Sequence, residues 1–129
     1  MKEELKYAVE KFEKAVLSLQ EGVVHAQSEL EKDGAIQRFE FTFELLWKTL
    51  KIFLAEQGLQ AMTPKECLKA AFKTGWIEPE AVFLDMLQAR NTLSHLYHKK
   101  ESEALWLDIK NVYFGEIKKV LDLLKGKMH

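Results

Sequence analysis

The chain has 129 residues, of which 47% are hydrophobic and 30% charged. That is the length and composition of one globular domain able to bury a core without staples. Its 19 basic and 20 acidic side chains leave a formal charge of −1, so no global field draws nucleic acid or an anionic membrane, and any such contact must come from a local patch. One cysteine, Cys67, excludes an internal disulfide, and no window approaches the roughly 18 apolar residues of a membrane span. The lone cysteine suits a reducing, cytoplasmic home, and the charged start lacks the apolar run of a signal peptide.

Five helices and no strands are predicted, in a single domain over residues 1–129. In the first, from about Glu3 to Ser28, Leu5, Val9, Phe12, Val16, Leu19 and Val23 recur at three- and four-residue steps, the spacing of one buried face. Asp33-Gly34 is the expected turn. The second helix is expected from about Ala35 to Gln57, with Gly58 as its stop. Its centre, Phe39-Glu40-Phe41-Thr42-Phe43, alternates like a strand, but the apolar run through Leu54 is too long for one and holds no turn residue. Apolar residues cover more than one face there, which suits a helix central in a bundle or one that meets a second subunit.

Thr63-Pro64-Lys65-Glu66 is a capping box with proline at the first helical position. The short third helix it opens ends near Thr74-Gly75. Pro79 opens the fourth, which is expected to reach about Tyr97 with Val82, Met86, Ala89, Leu93 and Leu96 inward. A connection at His98-Lys99-Lys100-Glu101 then leads to a fifth helix, capped by Ser102 and running to about Leu124. Its inward residues are expected to be Leu105, Ile109, Val112, Ile117, Val120 and Leu124. Four long helices with short connections predict an all-α, up-and-down antiparallel four-helix bundle with one additional short helix.

The segment from Arg90 to Lys100 is the densest in chemistry. With Arg90 as zero on the helical wheel, Ser94 and Tyr97 fall within about 40° of it, and Asn91, His95 and His98 form a second stripe roughly 80–140° round. Arginine holds phosphate by paired hydrogen bonds, and histidine moves protons near neutral pH. RNA carries its own nucleophile in the 2′-hydroxyl, so phosphodiester chemistry here needs no metal in principle. His98, Lys99 and Lys100 offer a local basic patch, with Lys99 a candidate substrate contact. The same groups on an exposed helix end also serve as cross-links and caps, and that plainer reading stays open. His95, His98 and Glu101 lack a second motif with ligand spacing, so no metal or other cofactor is expected. Cys67 has no evident base beside it and reads as an inert thiol. The three tryptophans, Trp47, Trp76 and Trp106, read as packing anchors.

Arg90-Asn91-Thr92-Leu93-Ser94-His95-Leu96-Tyr97 resembles the Arg-x4-His-x-Tyr motif of the HepT-like branch of the HEPN superfamily. Arg38 to Lys51 resembles the second-helix signature of the nucleotidyltransferase substrate-binding-protein family of the same superfamily, and the likeness runs from roughly Tyr7 to Leu124. The resemblance implies a homodimer that associates with a minimal nucleotidyltransferase chain. It implies a toxin acting as a metal-independent ribonuclease, with RNA as substrate and the Arg/His motifs of two copies forming one site. Arg90 would then hold the scissile phosphate, His95 would act as general acid or base, Asn91 would position substrate, and Tyr97 would be the hydroxyl adenylylated by the partner. Two other readings remain beside it: a non-catalytic substrate-binding subunit of a two-chain nucleotidyltransferase, and a dimeric adaptor whose Arg/His/Tyr cluster is only interface.

Overall fold

A computed structural model describes residues 2–93 and 99–128. Five rods follow one another: α1 (Lys2–His25), α2 (Glu29–Glu56), the short α3 (Pro64–Lys73), α4 (Glu80–Asn91), and a last rod made of α5 (Lys99–Asp108), one π-helical turn (Ile109–Tyr113) and α6 (Phe114–Gly126). There is no strand among the described residues, and the arrangement is the expected up-and-down helical bundle. Also among the described residues, no helix is long and apolar enough to cross a membrane.

The bundle is organised around α2, which packs against α1, α3, α4, α5 and α6. This accounts for its apolar residues on several faces: Ile36, Phe39, Phe43, Leu46, Leu50, Phe53 and Leu54 are all buried. Phe39 lies at the centre, its ring stacked on Tyr113 at 5.5 Å between centroids and tilted against Phe43 at 6.2 Å. From α1 the expected stripe supplies Val9, Phe12, Val16 and Leu19, with Leu5 and Val23 half-buried at its ends. Thr42 joins the two helices, its hydroxyl donating to the Arg38 carbonyl at 2.7 Å and lying 3.2 Å from the Ala15 carbonyl on α1. Near the hairpin the helices come close enough that a Cβ on Gly22 would stand 3.3 Å from that of Ala35.

The helix ends follow local chemistry. Thr63 and Glu66 form the predicted capping box, with Glu66 N–H donating to Thr63 Oγ1 at 3.1 Å and Thr63 N–H to Glu66 Oε1 at 3.0 Å. Gly58 and Gly75, at φ +80° and +82°, turn the chain out of α2 and α3. At the first of these, Leu59 N–H reaches back to the Leu54 carbonyl at 2.9 Å, which also accepts from Gln57 N–H at 3.0 Å. α4 starts directly after Pro79.

Three boundaries and one inward position differ from expectation, the first being that α4 ends at Asn91, short of Tyr97. The turn is not at Asp33-Gly34 but at 26–28, because Ser28 and Glu31 form a second capping box: Glu31 N–H donates to Ser28 Oγ at 3.1 Å and Ser28 N–H to Glu31 Oε1 at 2.9 Å. Two satisfied donors outweigh one glycine in the second turn. The last rod starts at Lys99 rather than after Ser102, so Lys99, Lys100 and Glu101 are helical. Val112, expected inward, is exposed, and Tyr113 is buried in its place. The π-helical turn inserts an extra residue there and re-aims the face.

Candidate active site

Arg90 is the penultimate residue of α4. On that helix Phe83 and Met86 are fully buried, and Arg90 falls at the i+7 position from Phe83, on the side facing α2. Phe83, which was not among the expected core residues, therefore sets the direction of Arg90. The expected division of α4 into one apolar and one polar face gives way to this geometry, with Val82, Leu84, Leu87, Ala89 and Leu93 partly buried around it.

Facing Arg90 is Glu44 of α2. Arg90 Nη2–H donates to Glu44 Oε1 at 2.9 Å, and Nε lies 2.8 Å from Oε2. This side-on fork is more an ion pair than two well-aligned hydrogen bonds, since the Nε–H does not point squarely at Oε2. The side chains are 28% and 27% exposed, neither in the core nor free in water. Nη1–H donates to Asn91 Oδ1 at 2.9 Å. Of the five guanidinium N–H groups, one on each Nη is left without an acceptor among the described residues. Paired N–H groups of that kind are what a phosphate takes from arginine.

The ion pair lies on the wall of an open groove of about 1000 Å³ between α1 and α2. Lys11 and Lys14 of α1 line it from one side, and Arg38 and the half-exposed ring of Phe41 from the other. Arg38 reaches across, donating from Nη1 to the Ser18 carbonyl at 2.8 Å.

Arg90 and Asn91 are brought together. Lys99 is not brought to them: it pairs with Glu29 at 3.5 Å, at the start of α2. Glu29 and Glu44 are fifteen residues apart on that helix, about 22 Å along its axis. His95 and Tyr97, with Ser94, Leu96 and His98, lie outside the described residues. Cys67 is buried, its thiol set toward the Ala61 carbonyl at 3.6 Å, and burial pushes its pKa up, with a smaller opposing pull from Lys51. That is the setting of an unreactive thiol. Trp106 is buried, and Trp47 and Trp76 pack half-buried on the core, as anchors do.

The residues missed from sequence are Glu44 and the groove cations. A lone carboxylate between Phe43 and Leu45-Leu46 was the available signal, since a charge in an apolar run calls for a partner.

A family profile described as nucleotidyltransferase substrate binding protein like matches residues 4–126. The chain belongs to that family. Its resemblance to the nucleotidyltransferase substrate-binding-protein family, drawn from the second helix and the Arg90 segment, is thereby borne out. A Haemophilus influenzae protein named "Probable ribonuclease HepT" is 31% identical over 81 residues, covering 59% of this chain and 56% of that relative. The match thus spans little more than half of either protein. A crystal structure of a Thermus thermophilus protein superposes with a TM-score of 0.77 at 29% identity, covering 92% of this substrate-binding-protein-like chain and 98% of the other.

Proposed function

We propose that this chain is the toxin of a toxin–antitoxin pair, a metal-independent ribonuclease of HEPN type that a partner minimal nucleotidyltransferase silences. The observation that carries the reading is Arg90. It heads an Arg-x4-His-x-Tyr motif, and Glu44 and Asn91 hold it on a groove wall with an N–H on each Nη still to offer. The family and the likeness to a protein named as a ribonuclease support it.

In this reading the RNA 2′-oxygen attacks the adjacent phosphorus as His95 takes its proton. The P–O5′ bond breaks, and a proton is returned to the leaving 5′-oxygen, giving a 2′,3′-cyclic phosphate and a 5′-hydroxyl. Arg90 stabilises the charge gathering on the phosphate oxygens. Two copies of the chain would each contribute one Arg/His motif. Asn91 steadies Arg90, and Lys99 serves RNA at a distance from Arg90. Silencing is transfer of an adenylyl group to the Tyr97 hydroxyl: its oxygen attacks the α-phosphorus of ATP and pyrophosphate leaves. The added phosphate brings bulk and negative charge beside the arginine.

The family description favours one other reading, a non-catalytic subunit that presents substrate to a nucleotidyltransferase. One experiment separates the two. The chain is induced alone in a bacterial host beside Arg90→Ala and His95→Ala, and growth and total RNA are followed. Growth arrest and fragmented RNA with the unmutated chain only is the expected result. Equal growth and intact RNA in all three, at equal soluble levels, would transfer the assignment to the binding subunit.

A further inference from the structure

The groove beside Arg90 has a chemistry of its own. Four cations, Lys11, Lys14, Arg38 and Arg90, line it against two carboxylates, Glu40 and Glu44, on a chain whose overall charge is −1. Arg90 is matched by Glu44. Among the described residues no carboxylate stands within ion-pair distance of Lys11, Lys14 or Arg38. Lys11 and Lys14 are one helical turn apart on α1. Since α1 and α2 run antiparallel, with Ala15 across from Thr42 and Ser18 across from Arg38, they stand across from the Glu44 end of the groove, while Arg38 lies one to two turns away along α2. Phe41, one turn beyond Arg38, exposes 53% of its surface on the same wall.

Unmatched cations along a groove, with an open aromatic face among them, are how proteins hold single-stranded nucleic acid: charges follow the phosphates and a base stacks on the ring. We propose that this groove is the track that leads single-stranded RNA to Arg90, with Lys11, Lys14 and Arg38 on its phosphates and Phe41 under a base. The proposal rests on the ribonuclease reading and names how that site takes its substrate. A second copy of the chain is the rival occupant of an exposed phenylalanine. A two-fold pairing that buried the groove itself would set its unmatched cations against those of the other copy, a like-charge contact, whereas the proposed dimer need only bring the two Arg/His motifs together and leave the groove open to RNA.

The test is fluorescence anisotropy with a fluorescein-labelled 12-mer of 2′-O-methyl RNA, which lacks the nucleophile and reports binding without cleavage. Single-strand binding changes with log salt at about −0.7 per phosphate contact. Replacing Lys11, Lys14 and Arg38 together by alanine is therefore expected to flatten the salt slope by about 2. Affinity at 0.1 M salt should fall roughly a hundred-fold. The Lys11→Ala, Lys14→Ala pair, which disturbs no hydrogen bond of the fold, should flatten the slope by about 1.4. Phe41→Ala should weaken binding about ten-fold. A control triple on exposed lysines elsewhere, Lys65→Ala, Lys73→Ala and Lys118→Ala, carries the same charge change.

Equal weakening by groove and control triples overturns the track, as does absence of binding by the unmutated chain. A shift from dimer to monomer in light scattering with RNA affinity unchanged makes the groove a chain–chain interface and also overturns it. Cleavage of unmodified RNA is followed separately. If the unmutated chain cleaves and the groove triple cleaves equally well, the track fails and the nuclease stands. If the groove binds RNA and nothing is cleaved, the nuclease reading fails and the track stands.

Discussion

Removing the Glu44 carboxylate should affect stability and chemistry in different ways. In Glu44→Ala, Arg90 loses both arms of its fork, at 2.9 and 2.8 Å, and keeps only Asn91. Both side chains are a little over one-quarter exposed. The cost therefore lies between that of an open surface pair, about 0.2–1 kcal/mol, and that of breaking a buried one, about 3–5 kcal/mol. About 1–2 kcal/mol is the expected loss, which for a chain of this length lowers Tm by roughly 3–12 °C. A double-mutant cycle with Arg90→Ala isolates the pair, and most of the loss should appear as coupling. RNA affinity should hold or rise, because a negative charge has left the groove. Cleavage should slow by about ten- to a hundred-fold, because the guanidinium is no longer aimed. Arg90→Lys should not rescue it, since an ammonium cannot reproduce the fork. Unmutated cleavage rates in Glu44→Ala, with a coupling energy below about 0.3 kcal/mol, would refute the idea that this carboxylate aims Arg90.

Two further predictions come from the helix ends and the core. Burial, with smaller contributions from Asp108 and Asp85, pushes the Tyr113 pKa up to about 12. Its folded value is thus above its unfolded one, so the associated stability is complete below about pH 10 and is lost as pH rises toward 12. Tyr113→Phe should unfold less readily than the unmutated chain in urea across that alkaline window, and identical pH profiles would count against the shift. At the start of α2, the N–H groups of Ser28 and then Gln27 hold the Glu31 carboxyl below its ordinary pKa. That stabilisation is present above the ordinary carboxylate range and disappears as pH falls through the lowered value. Ser28→Ala should cost about 1 kcal/mol at neutral pH, and Glu31→Ala, which removes the titrating carboxyl, should melt lower than the unmutated chain at neutral pH with the gap closing in acid. A melt of Ser28→Ala equal to the unmutated one at pH 7 would return the helix start to the Asp33-Gly34 turn.

What could be read in advance was set by interactions close in sequence. The stripe of α1, the capping box at Thr63 and the stops at Gly58 and Gly75 depend on residues within a turn or two of one another. At the start of α2 two local signals compete. Asp33-Gly34 has turn residues, but a glycine costs a helix only about 1 kcal/mol, and the Ser28–Glu31 box satisfies two donors that would otherwise be bare. The last rod hides its register for a different reason. Leu105, Ile109, Tyr113 and Ile117 advance by fours, and each such step drifts about 40° on a regular helix. Only an irregular turn keeps all four inward, whereas regular three- and four-residue spacing favours Val112 over Tyr113.

The site is the extreme case. Arg90 and Glu44 are 46 residues apart, and nothing local to either names the other. They meet because Phe83 and Met86 turn α4 toward α2, and because Phe39, Phe43 and Leu46 seat α2 in the middle of the bundle. A substitution such as Met86→Ala would thus reach the guanidinium without touching it: the cavity it leaves lets the end of α4 shift against α2, and the fork loosens with it. The packing of the core and the aim of Arg90 are one structural fact seen from two sides.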